Sequence, residues 1–421
     1  MSVIIFDPDL IFEGLTDAND IELRPDSTID EAISALAGDD RVRTGVGNDL
    51  LRGGPGRDTL IGDAGDDELE GGPGRDILSG GIGVDSVTYH LSAAAVRVSL
   101  AAGRGFGGDA EGDQLFGIED LFGSAFDDRL VGDDRDNVLA GLGGSDTLIG
   151  GGGDDILAEL RGEVAANTLF CEAGDDLLLL RATGSEAFGG AGDDIVGVDE
   201  GDGGHTLFGG AGDDNLAGTG NGLGDEARDT LHGGAGNDLL GGEGDLIFGG
   251  AGDDTIILQE SPASEIFGGT GNDLFQDFGV ESPGERVFGN AGDDTFDLQG
   301  GGREIFGGSG ADLFAIFYVS DTADTLIGGA GDDRLNISSE EIAVTVAGNA
   351  GADTFSVVQG DVVIRDFAEE DTISLSGLVF GDLTITSVAG GNATLIMADG
   401  LSIRLNRVEA STVTEDDFLF A

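Results

Sequence analysis

The fold is decided by the nonapeptide Gly53-Gly54-Pro55-Gly56-Arg57-Asp58-Thr59-Leu60-Ile61. Glycine stands at its first, second and fourth positions, aspartate at the sixth and an apolar residue at the eighth. Copies of this pattern recur from near the start of the chain to its last quarter. Tandem repeats of this kind form parallel β-helices whose Gly-rich turns bind calcium. The pattern therefore predicts an all-β, right-handed parallel β-roll or β-helix solenoid.

The first block of repeats covers residues 35–88 and holds six nonapeptides without a gap. Because the sequence of residues 53–58 recurs almost unchanged at 71–76, two nonapeptides are expected to make one turn. Alternate sixth-position residues then lie on opposite edges, with the eighth-position side chains pointing inward. The sixth-position residues are Asp40, Asp49, Asp58, Asp67, Asp76 and Asp85.

Residues 89–122 interrupt the array and are predicted to form a connector with strands near 96–100 and 117–121, because apolar residues alternate there. A second block follows at 123–158. Its sixth-position residues are Asp128, Asn137, Asp146 and Asp155. Since an amide carries no charge, Asn137 is expected to weaken one site.

From residue 159 to residue 360 one clear Gly-x-Asp loop appears every 16 to 24 residues. This spacing predicts a long solenoid with one calcium edge per turn. The opposite edge would be a variable loop that a partner can contact, as in residues 259–265. The sixth-position residues are Asp176, Asp194, Asp214, Asp238, Asp254, Asp273, Asp294, Asp312, Asp333 and Asp353.

A second column of side chains runs through the same region, one residue before each glycine pair. Two interpretations stay open: the rings pack beneath the variable loops, or they form an exposed stripe that docks a partner or another copy. The column consists of Phe170, Phe188, Phe208, His232, Phe248, Phe267, Phe288, Phe306 and Ile327.

The two ends are predicted to be caps. At residues 1–34 a capping-box pattern, Thr28 to Glu31, precedes apolar residues at helical spacing and predicts a short helix. At residues 361–421 we expect a β cap, in which 383–385 and 394–397 pair as a hairpin through 389–392.

The loops carry the oxygen ligands that calcium requires. Calcium binds six to eight oxygens from carboxylates and backbone carbonyls, and each loop offers one carboxylate and several unshielded glycine carbonyls. The candidate ligands are all the sixth-position Asp residues named above, together with the second and fourth glycines of the clearest loops. Those glycines are Gly54, Gly56, Gly72, Gly74, Gly190, Gly192, Gly210, Gly212, Gly250 and Gly252. Without metal the carboxylate rows repel, so the chain is expected to fold as calcium binds.

Composition excludes several classes of protein. The chain has 83 acidic and 19 basic residues, a net charge of −64 on 421 residues, and every base is Arg. Such a charge disfavours binding to nucleic acid or to anionic membranes, and no apolar stretch is long enough to span a membrane. The single cysteine, Cys171, excludes an internal disulfide and is read as an incidental thiol. Residues 1–10 do not have the pattern of a secretory signal peptide.

With these repeats and with its tail, the chain from about residue 35 to 421 resembles the RTX (repeats-in-toxin) family of bacterial proteins. The tail ends in Asp416-Asp417-Phe418-Leu419-Phe420-Ala421, similar to the uncleaved secretion signal of that family, and 361–367 with 371–378 resemble its capping segment. The resemblance implies type I secretion from a Gram-negative bacterium, through its exporter, to the extracellular space or the cell surface. The toxin or enzyme domains of the family are not recognised here.

These observations favour a secreted, non-enzymatic protein with a structural, surface-layer, matrix or adhesive role. Cell-surface polysaccharide and self-association are the candidate partners. One alternative is a polysaccharide-active enzyme with its site on the solenoid flank, for which Tyr89, His90 and Tyr318 are the available side chains. Another is ice binding, which needs a regular Thr and Asn rank that the loops lack.

Overall fold

The computed structural model describes an all-β chain, as predicted. In the described residues the regular elements are β-strands and three 3-10 helices, Gly108–Ala110, Phe380–Asp382 and Glu415–Asp417. No helix there is long and apolar enough to cross a membrane. The described residues are 2–4, 20–22, 30–159, 165–198, 203–218, 228–242, 246–258, 264–277, 284–299, 301–317, 322, 324–338, 344–388, 392–398 and 400–420.

The chain divides into two compact units, Met1–Gly210 and Ala211–Ala421. The finer segment boundaries expected from repeat spacing stay predictions. The strands that begin in the first unit are β1 (Ser2–Ile4), β2 (Asp20–Glu22), β3 (Ala32–Ser34), β4 (Arg41–Val46), β5 (Leu50–Arg52), β6 (Thr59–Ala64), β7 (Glu68–Glu70), β8 (Ile77–Ile82), β9 (Ser86–Thr88), β10 (Arg97–Ser99), β11 (Arg104–Phe106), β12 (Gln114–Phe116), β13 (Asp120–Phe122), β14 (Arg129–Val131), β15 (Val138–Ala140), β16 (Thr147–Gly152), β17 (Ile156–Ala158), β18 (Thr168–Ala173), β19 (Leu177–Leu180), β20 (Glu186–Ala191), β21 (Ile195–Val198) and β22 (Thr206–Ala211).

The second unit continues the same alternation of strands. They are β23 (Asn215–Ala217), β24 (Thr230–Ala235), β25 (Leu239–Gly242), β26 (Leu246–Ala251), β27 (Thr255–Leu258), β28 (Glu265–Thr270), β29 (Leu274–Asp277), β30 (Arg286–Ala291), β31 (Thr295–Gln299), β32 (Glu304–Ser309), β33 (Leu313–Phe317), β34 (Thr325–Ala330), β35 (Arg334–Ser338), β36 (Val344–Ala350), β37 (Thr354–Ile364), β38 (Thr372–Leu375), β39 (Thr384–Ser387), β40 (Ala393–Ala398), β41 (Leu401–Asn406) and β42 (Phe418–Phe420).

Alternate strands belong to two parallel sheets, which we call sheet A (for example β4, β6 and β8) and sheet B (β5, β7 and β9). In sheet A, Leu60 is in register with Leu78, one 18-residue turn later. The prediction of two nonapeptides per turn is therefore confirmed. The eighth-position side chains point inward and are fully buried, as expected for residues that alternate along a strand. They are Leu51, Leu60, Leu69, Leu78 and Val87.

The connector adds three strands to sheet A and one to sheet B. Between β8 and β14 the order is β12, β11, β10, and the pairs β10–β11 and β11–β12 are antiparallel. In sheet B, β13 alone lies between β9 and β15. The predicted strands near 96–100 and 117–121 correspond to β10 and β13. The long interruption is thus a local meander at one side of a parallel array that continues past it.

In the second unit the interior changes from aliphatic to aromatic. Phe275, Phe296 and Phe314 occupy successive turns of sheet B and are fully buried. Their rings stack with centroids 4.8 Å and 4.7 Å apart. Because the distance between hydrogen-bonded strands is about 4.8 Å, rings at one position in consecutive turns must stack in this way.

The C-terminal end is a β cap, as predicted. The long strand β37 pairs with β35 in sheet B through its first half and with β36 in sheet A through its second half. The hairpin of β39 and β40 is confirmed, with Ile385 opposite Ile396, although 389–391 lie outside the described residues. Strand β41 joins this hairpin to β37, and β42 adds to β38 in sheet B.

The helix predicted near the N-terminus is wrong where the structure can be compared with it. Ala32–Ser34 forms strand β3, which pairs in parallel with β5. The helical spacing of Ala32, Ile33 and Leu36 is a local signal only. Pairing with residues 50–52 buries Ile33 and lets residues 32–34 start sheet B, and tertiary pairing of this kind overrides local propensity. Residues 23–29 lie outside the described residues.

Candidate calcium sites

The nineteen sixth-position aspartates predicted as ligands are all buried, with no more than 3 % of any one exposed. They lie on two edges of the roll. Asp40, Asp58, Asp76, Asp128 and Asp146 precede strands of sheet A, on what we call the second edge. The others precede strands of sheet B, on the first edge. Beyond residue 158 every predicted ligand is on the first edge, as the repeat spacing indicates.

Hydrogen bonds between turns fix the orientation of these carboxylates. Oδ1 of Asp58 accepts the backbone N–H of Asp40 at 2.7 Å, one turn earlier on the same edge. In the second unit, Oδ1 of Asp312 accepts the N–H of Asp294 at 2.9 Å. Each such bond ties one turn to the next and leaves the second carboxylate oxygen, Oδ2, pointing elsewhere.

That second oxygen is buried and has no hydrogen-bond partner at fourteen of these positions, considering only the described residues. A buried anionic oxygen without a partner is costly, so the arrangement is suited to a bound cation. The fourteen are Asp49, Asp58, Asp67, Asp76, Asp85, Asp155, Asp176, Asp238, Asp254, Asp273, Asp294, Asp312, Asp333 and Asp353.

A backbone carbonyl converges on the same place. A methyl group added to Gly249 would lie 2.4 Å from Oδ2 of Asp254 and 2.5 Å from the carbonyl oxygen of Gly268, one turn later. At Gly307 the corresponding distances, to Asp312 Oδ2 and to the Gly328 carbonyl oxygen, are 2.1 Å and 2.6 Å. Two hard oxygens from successive turns thus face one small space above the first glycine of these two loops. This is the donor type that calcium prefers.

The sequence analysis proposed the glycines at the second and fourth positions as ligands and did not consider the glycine at the first position, whose carbonyl oxygen lies near Oδ2 of the preceding turn. The second and fourth glycines have a steric reason to be glycine: Gly250 has φ +126°, and a methyl group there would lie 2.2 Å from the Gly234 carbonyl oxygen. Their carbonyls point along the stack toward the glycine of the next turn, as that of Gly56 does toward Gly74. The remaining predicted glycines hold the same loop positions, and their role as ligands stays a proposal.

Burial raises the pKa of many of the column carboxyls when no metal is bound. Backbone hydrogen bonds lower these pKa values and neighbouring Asp residues raise them again. The pKa is raised to about 8 for Asp76 and Asp294, to about 7 for Asp67, Asp155, Asp254 and Asp333, and to about 6 for Asp58, Asp85, Asp273, Asp312 and Asp353. Cation binding and protonation therefore compete at these groups.

Two positions in the second block differ from the rest. Both oxygens of Asp128 are hydrogen-bonded, Oδ1 to the Val96 N–H at 2.7 Å and to the Ser124 hydroxyl at 2.9 Å, and Oδ2 to the Ser124 N–H. Asn137 donates from Nδ2 to the Glu119 carbonyl at 2.8 Å and accepts the Asp133 N–H at 2.7 Å. Protein groups occupy the polar atoms of both side chains, so these are the weakest candidates for metal.

Among the carboxylates that the sequence did not predict, three continue the columns at the connector and at the C-terminal cap. Asp113 accepts the Asp76 N–H at 2.8 Å and Glu119 accepts the Asp85 N–H at 3.0 Å, so both edges continue through the connector. Asp371 accepts the Asp353 N–H at 3.1 Å and ends the first edge. Its Oδ2 accepts the Ala368 N–H at 2.7 Å, so this last carboxylate is satisfied by protein. Sequence offered little signal, because none of the three lies in a recognisable nonapeptide.

A second, exposed ladder at the fifth position also escaped the sequence argument. The N–H of Asp253 donates to Asn237 Oδ1 at 2.7 Å, and the N–H of Asn272 donates to Asp253 Oδ1 at 2.7 Å. At the fifth position the N–H of the later turn donates to the earlier turn, whereas at the sixth position the N–H of the earlier turn donates to the later one. Each turn therefore both donates hydrogen bonds to its neighbour and accepts them from it. The frequent Asp or Asn at the fifth position was the signal available.

The aromatic column predicted beside the glycine pairs lies on the outer face of sheet A. Its members are partly exposed, while their chain neighbours point inward. Phe248, Phe267 and Phe288 stack with centroids 5.2 Å and 4.9 Å apart and interplanar angles of 5° to 6°. The ring faces are therefore covered by neighbouring rings, and mainly ring edges meet solvent. Neither full burial nor a stripe of open ring faces describes this column.

Two other side chains singled out in the sequence, Tyr89 and Cys171, are buried in the fold. Tyr89 is buried, and its hydroxyl donates to Asp113 Oδ2 at 3.1 Å. Cys171 is fully buried, and burial raises its pKa far above the usual range of a thiol. Tyr318 and the variable loop residues 259–263 lie outside the described residues.

The comparisons with known proteins identify the repeats. The family model described as the RTX calcium-binding nonapeptide repeat (4 copies) matches residues 29–60, 52–87, 122–157, 223–245, 241–259 and 317–336. The search of curated proteins found no match. Among solved structures, the extracellular lipase LipA from Serratia marcescens is similar over 70% of this chain and 40% of its own, at 15% identity and a TM-score of 0.14. The chain thus spans less than half of that structure, and a similarity this weak supports no conclusion about activity.

In the described part of the chain, no three His, Cys, Asp or Glu side chains group together as in a compact metal centre. A calcium ion here would need backbone carbonyl ligands in addition to carboxylates. That is the arrangement the repeat pattern demands, and the matched segments fall in both units. Six segments of the chain thus match the RTX calcium-binding nonapeptide repeat, and calcium is the ion that such repeats bind.

Proposed function

We propose that this chain is a secreted, non-enzymatic calcium-binding protein that folds outside the cell and serves a structural, surface-layer, matrix or adhesive role. The observation that carries the proposal is the column of buried Asp oxygens without hydrogen-bond partners, several of which face a carbonyl of the next turn. Such a column is a lattice of cation sites built into the fold. The same residues therefore serve folding and binding.

Calcium supplies the charge that the folded state lacks. Carboxylates stacked one turn apart repel one another, and ordering a backbone with 80 glycines is entropically expensive. Because the sites exist only in the folded chain, binding energy becomes folding energy. Extracellular calcium modules bind at roughly 10⁻⁴ to 10⁻³ M, so their sites fill outside the cell and stay empty in the cytosol.

We assign the metal-binding role to Oδ2 of the sixth-position aspartates and to glycine carbonyls of the adjoining turns. The convergence of Asp254 Oδ2 and the Gly268 carbonyl oxygen supports this assignment. Asp128 is the exception, because Ser124 already satisfies its Oδ2.

Export is proposed to follow the type I route from a Gram-negative bacterium, with the signal in residues 361–421. Deleting these residues should abolish secretion while the protein still accumulates inside the cell. A matched control removes residues 254–272, one turn between equivalent Asp positions, and leaves the tail intact; it should still be exported. Normal secretion of the tail-less chain would reject the assignment.

The proposed site of action is the cell surface or its matrix, with polysaccharide or another copy of the chain as partner. The test is fractionation of the native host before and after washing with a calcium chelator. We expect the protein in the surface fraction with calcium and in the supernatant after chelation. A protein that is freely soluble under both conditions would contradict a surface or adhesive role.

A further inference from the structure

The second edge of the second unit does not carry an aspartate at every sixth position, but it keeps buried charge. Ser264, Glu285, Arg303 and Asp324 each precede a strand of sheet A, where Asp40 and Asp58 stand in the first block. All four are buried, with at most 1 % exposed. Over these turns the second edge therefore has a different set of buried polar side chains from the aspartates of the first block.

The backbone shows that Arg303 occupies a sixth position. Its N–H donates to Asp324 Oδ1 at 2.7 Å, and its carbonyl accepts the Thr325 N–H at 2.9 Å. In the first block, the Asp40 N–H donates to Asp58 Oδ1 at 2.7 Å and the Asp40 carbonyl accepts the Thr59 N–H at 2.8 Å. The backbone hydrogen bonds at Arg303 thus match those at Asp40 on the same edge, while the side chain changes from an anion to a cation.

The Arg303 guanidinium contacts carboxylates of the preceding turn. Nε lies 2.7 Å from Glu285 Oε2 and Nη2 lies 2.7 Å from Asp277 Oδ2. Nη1 donates to the Gln299 carbonyl at 3.0 Å. None of the three charged side chains has more than 1 % of its surface exposed. One cation therefore binds two carboxylates and a carbonyl, the same oxygen types that converge on the first edge.

We propose that the Arg303 guanidinium is a built-in cation that holds this part of the second edge in place of a calcium ion. A guanidinium is always charged and has five directed donors, so it can satisfy several buried oxygens at once. Unlike calcium it cannot dissociate. The turns between Asp277 and Asp324 would then bind metal on the first edge only.

The test uses the full-length chain at saturating calcium and measures urea unfolding of R303M, E285Q and the double variant. R303M should lower the folding equilibrium constant about a hundredfold or more, because it leaves buried carboxylates without their cation. E285Q should destabilise the wild type but stabilise the R303M chain, since it then removes an uncompensated charge. The matched control is R286M: Arg286 lies near Glu265 and Glu304 but is partly exposed, so the expected change is less than about fivefold.

The second measurement is calcium stoichiometry by equilibrium dialysis. E285Q should bind as many calcium ions as the wild type and with the same affinity, whereas D294N on the first edge should bind calcium more weakly. R303K keeps a cation and should lie between wild type and R303M in stability, so the proposal remains testable if R303M does not fold. Additive effects of R303M and E285Q, or loss of a bound calcium ion in E285Q, would overturn it.

Discussion

At each sixth-position aspartate of the columns the two carboxylate oxygens have different environments. In Asp294, Oδ1 accepts the Asp273 N–H at 2.9 Å, while Oδ2 is buried and has no hydrogen-bond partner. An asparagine retains the first interaction and loses the charge needed for the second. Asn137 differs from this expectation, because its Oδ1 accepts the Asp133 N–H within its own loop and its Nδ2 donates to the Glu119 carbonyl.

We therefore expect D294N to weaken calcium binding at its own loops by about tenfold, because ligand charge tunes calcium affinity. The fold at saturating calcium should persist, because Oδ1 can still accept the Asp273 N–H. Isothermal calorimetry measures the change, with D297N as control because Asp297 is exposed on the same turn. Equal affinities for D294N and D297N would show that the buried oxygen is not a ligand.

The raised carboxyl pKa values predict how the metal-free chain responds to pH. Burial raises the pKa of Asp76 and Asp294 to about 8, against about 4 in an unfolded chain. A group whose pKa is raised on folding contributes stability at low pH and loses it as pH rises through its folded value. The metal-free roll should thus be more stable at about pH 5.5 than at about pH 8.

Far-UV circular dichroism in chelator at both pH values measures this effect, and the metal-free chain should contain more β-structure at about pH 5.5 than at about pH 8. Calcium addition near pH 7 should also release protons, which a weakly buffered titration detects. A metal-free β-structure content that is unchanged or higher at about pH 8 would contradict the assigned burial of these carboxyls.

The sequence predicted which residues are buried where the nonapeptide is intact. It failed where a residue contacts a partner that lies far away in the sequence. The inward Leu60 and Leu78 and the buried Asp58 and Asp76 follow from spacing alone. Asp113 could not be found this way, because it meets Asp76 from 37 residues further along the chain. Arg303 was missed for another reason: an arginine at an aspartate position resembles a lost site when only the repeat is read.

Among the elements, the strands carry two aromatic ladders with different surroundings. Phe296 belongs to the inner ladder of sheet B and is fully buried. Phe267 belongs to the outer ladder of sheet A and is partly exposed. The outer column was visible in the sequence because it precedes each glycine pair. The inner ladder was not recognised in the sequence because leucine or isoleucine occupies the same eighth position in other turns.

F296A should destabilise the calcium-loaded protein by about 3–5 kcal/mol, as expected for a large-to-small change in a packed core. F267A should cost about 1–2 kcal/mol, because it removes ring stacking on a partly solvated face. Urea unfolding at saturating calcium measures both losses. If F267A cost as much as F296A, the outer ladder would have to be part of the core.

The N-terminal segment was predicted to be a helix, but its described part contains a short strand. The pattern at residues 28–36 has helical spacing, but Ala32–Ser34 pairs with Leu50–Arg52 as the first described turn of sheet B. Three residues suffice for a strand in this fold, and such short elements leave little periodicity to read. The C-terminal hairpin was easier, because its two strands alternate clearly and lie close together in the sequence.

At the scale of the whole molecule, the net charge of −64 dominates. Monovalent salt screens such charge at a distance but does not provide oxygen-coordinated cations at buried positions. Magnesium needs shorter distances and a stricter octahedron than calcium, so it should not replace calcium at equal concentration. We therefore expect folding to require calcium specifically.

The central claim is that calcium binding and folding are one event, and a calcium titration followed by far-UV circular dichroism tests it most directly. In chelator at neutral pH we expect little β-structure, and millimolar calcium should produce the β spectrum in one cooperative transition. The same concentration of magnesium is the control and should leave the spectrum unchanged. A chain that is already β-rich in chelator and unaffected by calcium would contradict the account.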